Sequence, residues 1–182
     1  RTPCVWPCSS NAWVRVRCFA DELTEEVVGV YVLERSGKLL CGPLGANDAD
    51  VELDLRRDVL AFGSSRVLTV LDLVSDKPTL NREFETGVHL QAVCLDHDAK
   101  HVLVATSRIT DIGRLRAGNT FECIDLATGD VVWQRKSTGV DKLCLLDADS
   151  VLTAAGKLYT GTGTLAAHAL VDGHLRFRAT ST

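Results

Sequence analysis

The sequence predicts an all-β fold of about four four-stranded antiparallel units, the blades of a β-propeller. Three observations predict it. Four segments read as the same hairpin, each a short apolar strand closed by a Ser-Gly, Ser-Asp, Thr-Gly or Asp-Gly turn. Their turn positions, Gly37, Asp76, Gly129 and Gly173, lie 39, 53 and 44 residues apart, near the period of a four-stranded repeat. A strand–acidic turn–strand unit precedes the second, third and fourth hairpins. A two-sheet sandwich also has short, evenly spaced strands, but it has no reason to repeat its turn types in order.

The units follow in chain order within one domain, 1–182. Residues 1–48 form a divergent or partial blade. Trp13–Phe19 alternates like a strand and Val30–Leu33 leads into the Ser36-Gly37 turn, but Glu22 to Val30 leaves little room for another strand between them. Ala20–Glu26 allows one helical turn at most. Residues 49–86 form a blade: Asp50–Leu55, the Arg56-Arg57 turn, Asp58–Gly63, then Leu68–Leu73 and a turn at Ser75-Asp76 that runs on through Lys77 and Pro78. Residues 87–138 form a blade with an inserted loop, 107–119, which accounts for the longest interval. Residues 139–182 form the last blade, with Asp147–Ser150 and Asp172-Gly173 as its turns. Asp and Gly suit these positions because they bond the local backbone or adopt left-handed angles.

Composition limits the function classes. The chain has 182 residues, 46% hydrophobic and 24% charged, with a net charge of -4. Phosphate binding needs a basic face, so nucleic acid is not an expected partner. No apolar run reaches the length of a membrane-spanning helix. Arg1–Cys4 does not open a secretory leader, and the absence of Met suggests a fragment or a processed chain. Seven cysteines cannot all pair internally, and Cys18, Cys41, Cys94, Cys123 and Cys144 each sit in or beside an apolar strand. They read as small buried hydrophobes, a usage that points to a cytoplasmic protein. Cys4 and Cys8 form the one close pair, with no histidine near enough in sequence to complete a metal site.

The third unit carries a family resemblance. Asp125-Leu126-Ala127-Thr128-Gly129-Asp130-Val131-Val132-Trp133 resembles the closing phrase of quinoprotein-type repeats, and His97-Asp98-Ala99-Lys100 resembles the turn before the second strand of WD repeats. The chain departs from both, having no Gly-His opening and no Trp-Asp dipeptide. The resemblance implies that the Thr-Gly pair forms the outer hairpin turn and that Trp133 packs between neighbouring blades. It also implies that the units are part of a larger seven- or eight-bladed ring, a small closed four-bladed propeller being the alternative. It also raises a quinone-dependent dehydrogenase, whose cofactor stacks on an axial Trp beside a calcium ion. Trp133 belongs to an outer strand, and no adjacent Cys-Cys pair exists to cap a quinone, so no cofactor is expected.

Other constellations have simpler explanations. Asp48-Ala49-Asp50, Asp96-His97-Asp98 and Asp147-Ala148-Asp149 lack the later bidentate Glu of a calcium loop, and bonding of Asp to the turn backbone explains them. His89, His97 and His101 lack a further ligand, so no metal is expected. Gly161-Thr162-Gly163-Thr164 precedes a strand, where a phosphate cradle would need a helix.

The inserted loop remains. It gathers Arg108, Ile112, Arg114, Leu115 and Arg116 in an otherwise acidic chain, and arginine beside apolar residues suits a partner-binding surface on a rigid scaffold. The sequence thus predicts a non-catalytic protein-interaction scaffold, with protein partners and no catalytic residues. The alternatives are a fragment of a pyrroloquinoline quinone-dependent oxidoreductase and an assembly-factor propeller at a membrane surface.

Overall fold

The structure, a computed structural model, describes residues 4–7, 13–19, 27–34, 38–44, 51–64, 66–75, 77–108, 119–137, 140, 142–157 and 162–181. These residues form four antiparallel sheets, each of four strands in sequential order. The first holds β1 (Cys4–Pro7), β2 (Trp13–Phe19), β3 (Val27–Glu34) and β4 (Leu39–Leu44). The second holds β5 (Val51–Arg56), β6 (Val59–Ser64), β7 (Val67–Asp72) and β8 (Lys77–Glu83). The third holds β9 (Val88–Leu95), β10 (His101–Arg108), β11 (Asn119–Asp125) and β12 (Val131–Ser137), and the fourth β13 (Lys142–Asp147), β14 (Ser150–Lys157), β15 (Thr162–Ala169) and β16 (Leu175–Ser181).

The first unit has the strand that the sequence reading lacked. Trp13–Phe19 is its second strand, paired with both β1 and β3. Cys4–Pro7 escaped notice because it has only four residues and ends on Pro, which cannot donate to a sheet. The helical turn considered at Ala20–Glu26 lies outside the described residues.

The hairpin turns follow from their side chains. Asp125 Oδ1 accepts from the backbone N–H of Ala127 and Thr128, and Gly129 takes the left-handed angle that closes the turn, φ 77°. Asp72 Oδ1 does the same for Val74 and Ser75, so the second hairpin needs no glycine; Pro78 then sits at a register shift opposite Leu71. The acidic turns are likewise self-bonded. Asp96 Oδ1 accepts from Lys100 and His101, and Asp147 Oδ1 from Asp149. Arg57 and Asp58 both have positive φ, 45° and 63°, as a two-residue primed turn requires.

The second, third and fourth sheets stack through their faces, with their first strands β5, β9 and β13 side by side. Strand β9 packs against β5 and β6 on one side and β13 on the other. Between the second and third sheets, Ala61, Leu68 and Val70 meet Leu90, Val93, Leu95, Val102, Val104 and Ile124 in one buried cluster. Gly63 is buried against Leu90, whose Cδ1 would lie 2.4 Å from an added Cβ. Between the third and fourth sheets, Cys94, Leu103, Phe121, Cys123 and Trp133 meet Val151, with Leu143, Leu145 and Leu170 around them. Each large side chain so buried contributes about 1.5–3 kcal/mol before the entropy of ordering it.

Candidate functional site: the blade rims and the seams between blades

Sequential antiparallel order puts every first-to-second and third-to-fourth strand turn on one rim. The second-to-third strand loops and the inter-blade connections lie on the other. The inserted loop starts and ends on this second rim. It leaves β10 at Arg108 and returns at Asn119, between strands that are direct hydrogen-bonded neighbours. Arg108 is half-exposed and pairs with Glu85 on the adjacent connection. Beside it, Arg66 pairs with Glu83 and donates to Thr86 Oγ1 at 3.1 Å. Such exposed pairs orient side chains but add at most about 1 kcal/mol each. Below them Thr106, Ser107 and Asn119 are buried, and Asn119 Oδ1 accepts no hydrogen bond. Ile112, Arg114, Leu115 and Arg116, the other residues the sequence assigned to this site, lie outside the described residues.

The turn rim carries a denser set of charges. Arg57 of the second sheet reaches Asp98 of the third at 2.6 Å, with His97 and Lys100 at 3.6 and 3.9 Å from the same carboxylate. His101 Nδ1 lies 2.8 Å from Asp96, and its Nε2 is 3.8 Å from Asp125. The backbone N–H of Thr128 and, after it, of Ala127 hold the exposed Asp125 carboxyl below the usual range. His89 pairs with Ser107 at the opposite end of β9, so the three histidines are not brought together. Among the described residues no group of three potential metal ligands occurs.

The seams hold the buried polar groups. Asp54 Oδ2 accepts from the backbone N–H of Leu95 at 2.9 Å, joining the inner strands of the second and third sheets. Burial first, and the Asp54 charge second, push the Cys94 thiol up to about 12. Burial does the same to Cys123, also to about 12. Glu122 is buried with Arg82 of the preceding sheet 3.4 Å from Oε1, too poorly aligned for a hydrogen bond, while Gln134 Nε2 donates to Oε2 at 3.1 Å. Trp133 Nε1 donates to the Leu170 carbonyl at 2.7 Å across the next seam, and Phe121 meets the indole edge-on at 5.0 Å. Arg135 donates to the Asp172 carbonyl at 2.7 Å. His168 rests edge-on to Phe121 and donates to the Gly173 carbonyl, and burial lowers its pKa.

Sequence reasoning missed Asp54, Arg82 and Glu122. A signal for Arg82 was present, since Leu80-x-Arg82 and Trp133-x-Arg135 occupy matching places on fourth strands. The indole of Trp133 does not fit a quinone platform, because Gly173, Leu170 and Phe121 already occupy its surroundings. Gly163 of β15 pairs with Gly156 of β14, so residues 162–164 of the Gly-Thr repeat are strand, while Gly161 lies outside the described residues.

No protein-family model matches the chain, and no curated protein matches it in sequence. Solved structures do match. The Raptor protein of Chaetomium thermophilum is similar over 99% of this chain and 16% of its own, at 10% identity and a TM-score of 0.63. The WD40 domain of Neurospora crassa Pan2 is similar over 96% of this chain and 48% of its own, at 13% identity and a TM-score of 0.62. The quinohemoprotein alcohol dehydrogenase of Comamonas testosteroni is similar over 74% of this chain and 22% of its own, at 16% identity and a TM-score of 0.53. The chain therefore spans between about a sixth and a half of these structures, and at such identities the likeness is one of fold. Four-stranded antiparallel sheets in sequential order, the second to fourth stacked through their faces, make this chain a run of β-propeller blades, the fold it shares with these structures.

Proposed function

We propose that the chain is a non-catalytic protein-interaction scaffold whose partner-binding element is the loop 107–119. The observation that carries this reading is the length contrast on one rim. Residues 109–118 stand between paired strands β10 and β11, where the matching connections are residues 65–66 and 158–161. A ten-residue excursion between two hydrogen-bonded strands adds nothing that the strand pair needs, and its sequence carries Ile112, Arg114, Leu115 and Arg116 after Arg108. Arginine flanked by aliphatic side chains makes hydrogen bonds and excludes water around them, which suits a protein surface. The likeness to a WD40 domain supports the same reading at the level of fold.

The quinone-dependent alternative draws only fold from the likeness to the alcohol dehydrogenase, and the surroundings of Trp133 do not favour it. Among the described residues no helix is long and apolar enough to cross a membrane. Replacing 109–118 by a Gly-Asn pair tests the proposal: the thermal midpoint should hold within a few degrees while proteins captured by the intact chain are lost. Unchanged capture by the shortened chain, still folded, would remove the loop from the function.

A further inference from the structure

Cross-strand partners share a sheet face, so each sheet carries a four-residue row from its inner to its outer strand. In the second sheet the row is Asp54, Ala61, Val70 and Leu80, and the third sheet covers it. In the third sheet it is Cys94, Leu103, Cys123 and Trp133, and the fourth sheet covers it, leaving them 2%, 0%, 2% and 8% exposed. The same register in the fourth sheet gives Cys144, Leu152, Ala167 and Phe177. Here Ala167 is shielded, but Cys144 is exposed and Phe177, at Trp133's place, is 52% exposed. Leu165, two residues along β15 from Ala167 and 38% exposed, extends the same apolar area. The opposite face of this sheet is already used, with Val151, Leu143 and Leu145 packed on the third sheet.

We infer that the Cys144–Leu152–Ala167–Phe177 row is the docking face for a further four-stranded blade, in line with the preceding ones. Two identical registers are each closed by the next sheet, so the third continues an interface already built twice. The side such a blade presents is set by what covers the third sheet's row: inner-strand leucines, as at Leu143 and Leu145, and against Trp133 a turn glycine with positive φ, as at Gly173. The Phe177 side chain has no N–H, so the incoming blade needs no carbonyl aimed at it as Leu170 is aimed at Trp133.

The test uses the whole chain extended beyond Thr182 by a second copy of residues 140–182, with Ala replacing the copied Cys144. Iodoacetamide alkylation of the original Cys144, read by peptide mass, reports the cover. Labelling should slow roughly tenfold or more against the unextended chain, because a covered thiol reacts only when the face opens. Phe177→Asp in the original repeat should return the rate to that of the unextended chain. Equal rates with the copy folded, judged by amide exchange over its strands, would overturn the inference. So would a copy that stays unfolded beside an intact β13–β16 sheet. Cys144 protection that rises with the concentration of the unextended chain would assign the face to a second copy, and would overturn an in-line blade.

Discussion

Gly173 lies against the indole of Trp133, so close that a Cβ on the glycine would stand 2.6 Å from Trp133 Cε3. The two residues belong to consecutive blades, and the contact makes a turn of one blade the seat for the outer strand of the other. Gly173 also has φ 69°, a backbone angle that costs most other residues about 1 kcal/mol or more.

Gly173→Ala should therefore destabilise by about 2–4 kcal/mol, the sum of a left-handed alanine and an overpacked ring. Gly129→Ala provides the control. Its φ is 77°, but the nearest atom to its Cβ would be Leu80 Cδ1 at 3.6 Å, an ordinary contact. It should cost only about 1–2 kcal/mol. Urea unfolding of both variants separates the packing effect from the backbone effect, and equal losses would refute the tight seat.

Trp133→Phe keeps an aromatic ring at the seam but leaves the Leu170 carbonyl without its donor. The expected loss is about 1–3 kcal/mol, for the unsatisfied acceptor and the smaller ring. Trp133→Ala should lose about 3–5 kcal/mol by urea unfolding. A phenylalanine variant as stable as the parent would show that the hydrogen bond contributes nothing.

The Arg82–Glu122 pair crosses the preceding seam, with Glu122 buried and the Arg82 side chain 31% exposed. Arg82→Met should cost about 1–3 kcal/mol, at the lower end of what unpairing a buried charge costs, because solvent reaches the arginine. Adding Glu122→Gln should recover most of that loss, since a neutral amide needs no counter-charge. Additive single and double effects in the mutant cycle would show that the two groups are uncoupled.

The buried thiols give a pH dependence at the alkaline end. Unfolded, each cysteine ionises near its ordinary value of 9.0, whereas Cys94 and Cys123 keep their protons to about 12 in the folded chain. Their contribution is intact below pH 9 and falls as pH rises from 9 to 12, by up to about 1.4 kcal/mol per pH unit for each thiol. The double variant Cys94→Ala with Cys123→Ala should be less stable at pH 7 but should lose less between pH 8 and 10. Parallel loss in parent and variant, followed by urea midpoints, would sink this account.

What the sequence revealed and what it hid divide by distance along the chain. Asp125, Thr128 and Gly129 bond within a few residues, so their turn is readable from composition alone, and the strand–turn order of β5 to β16 follows from such local signals. The Trp133 seam was expected from the repeat resemblance, but its glycine seat was not, because the two lie in different repeats and meet only when sheets stack. Glu122 reads as a polar interruption in an apolar strand until Arg82 and Gln134 are brought to it. The first sheet was the least legible, since Pro7 closes a strand too short to show alternation. Of the rim site, Arg108 is paired with Glu85, a partner that sequence spacing does not suggest.

The stacking of the second, third and fourth sheets also bears on how force and damage travel. Strand β9 touches β5, β6 and β13, and each buried cluster joins one sheet to the next. Coupling of this nearest-neighbour kind makes the molecule a short one-dimensional lattice rather than a single cooperative block. A defect at Gly173 loosens the last blade first, and the second sheet learns of it only through the third. Pulled from its ends, such a chain gives way in steps of about one blade, each step leaving a shorter stack still folded.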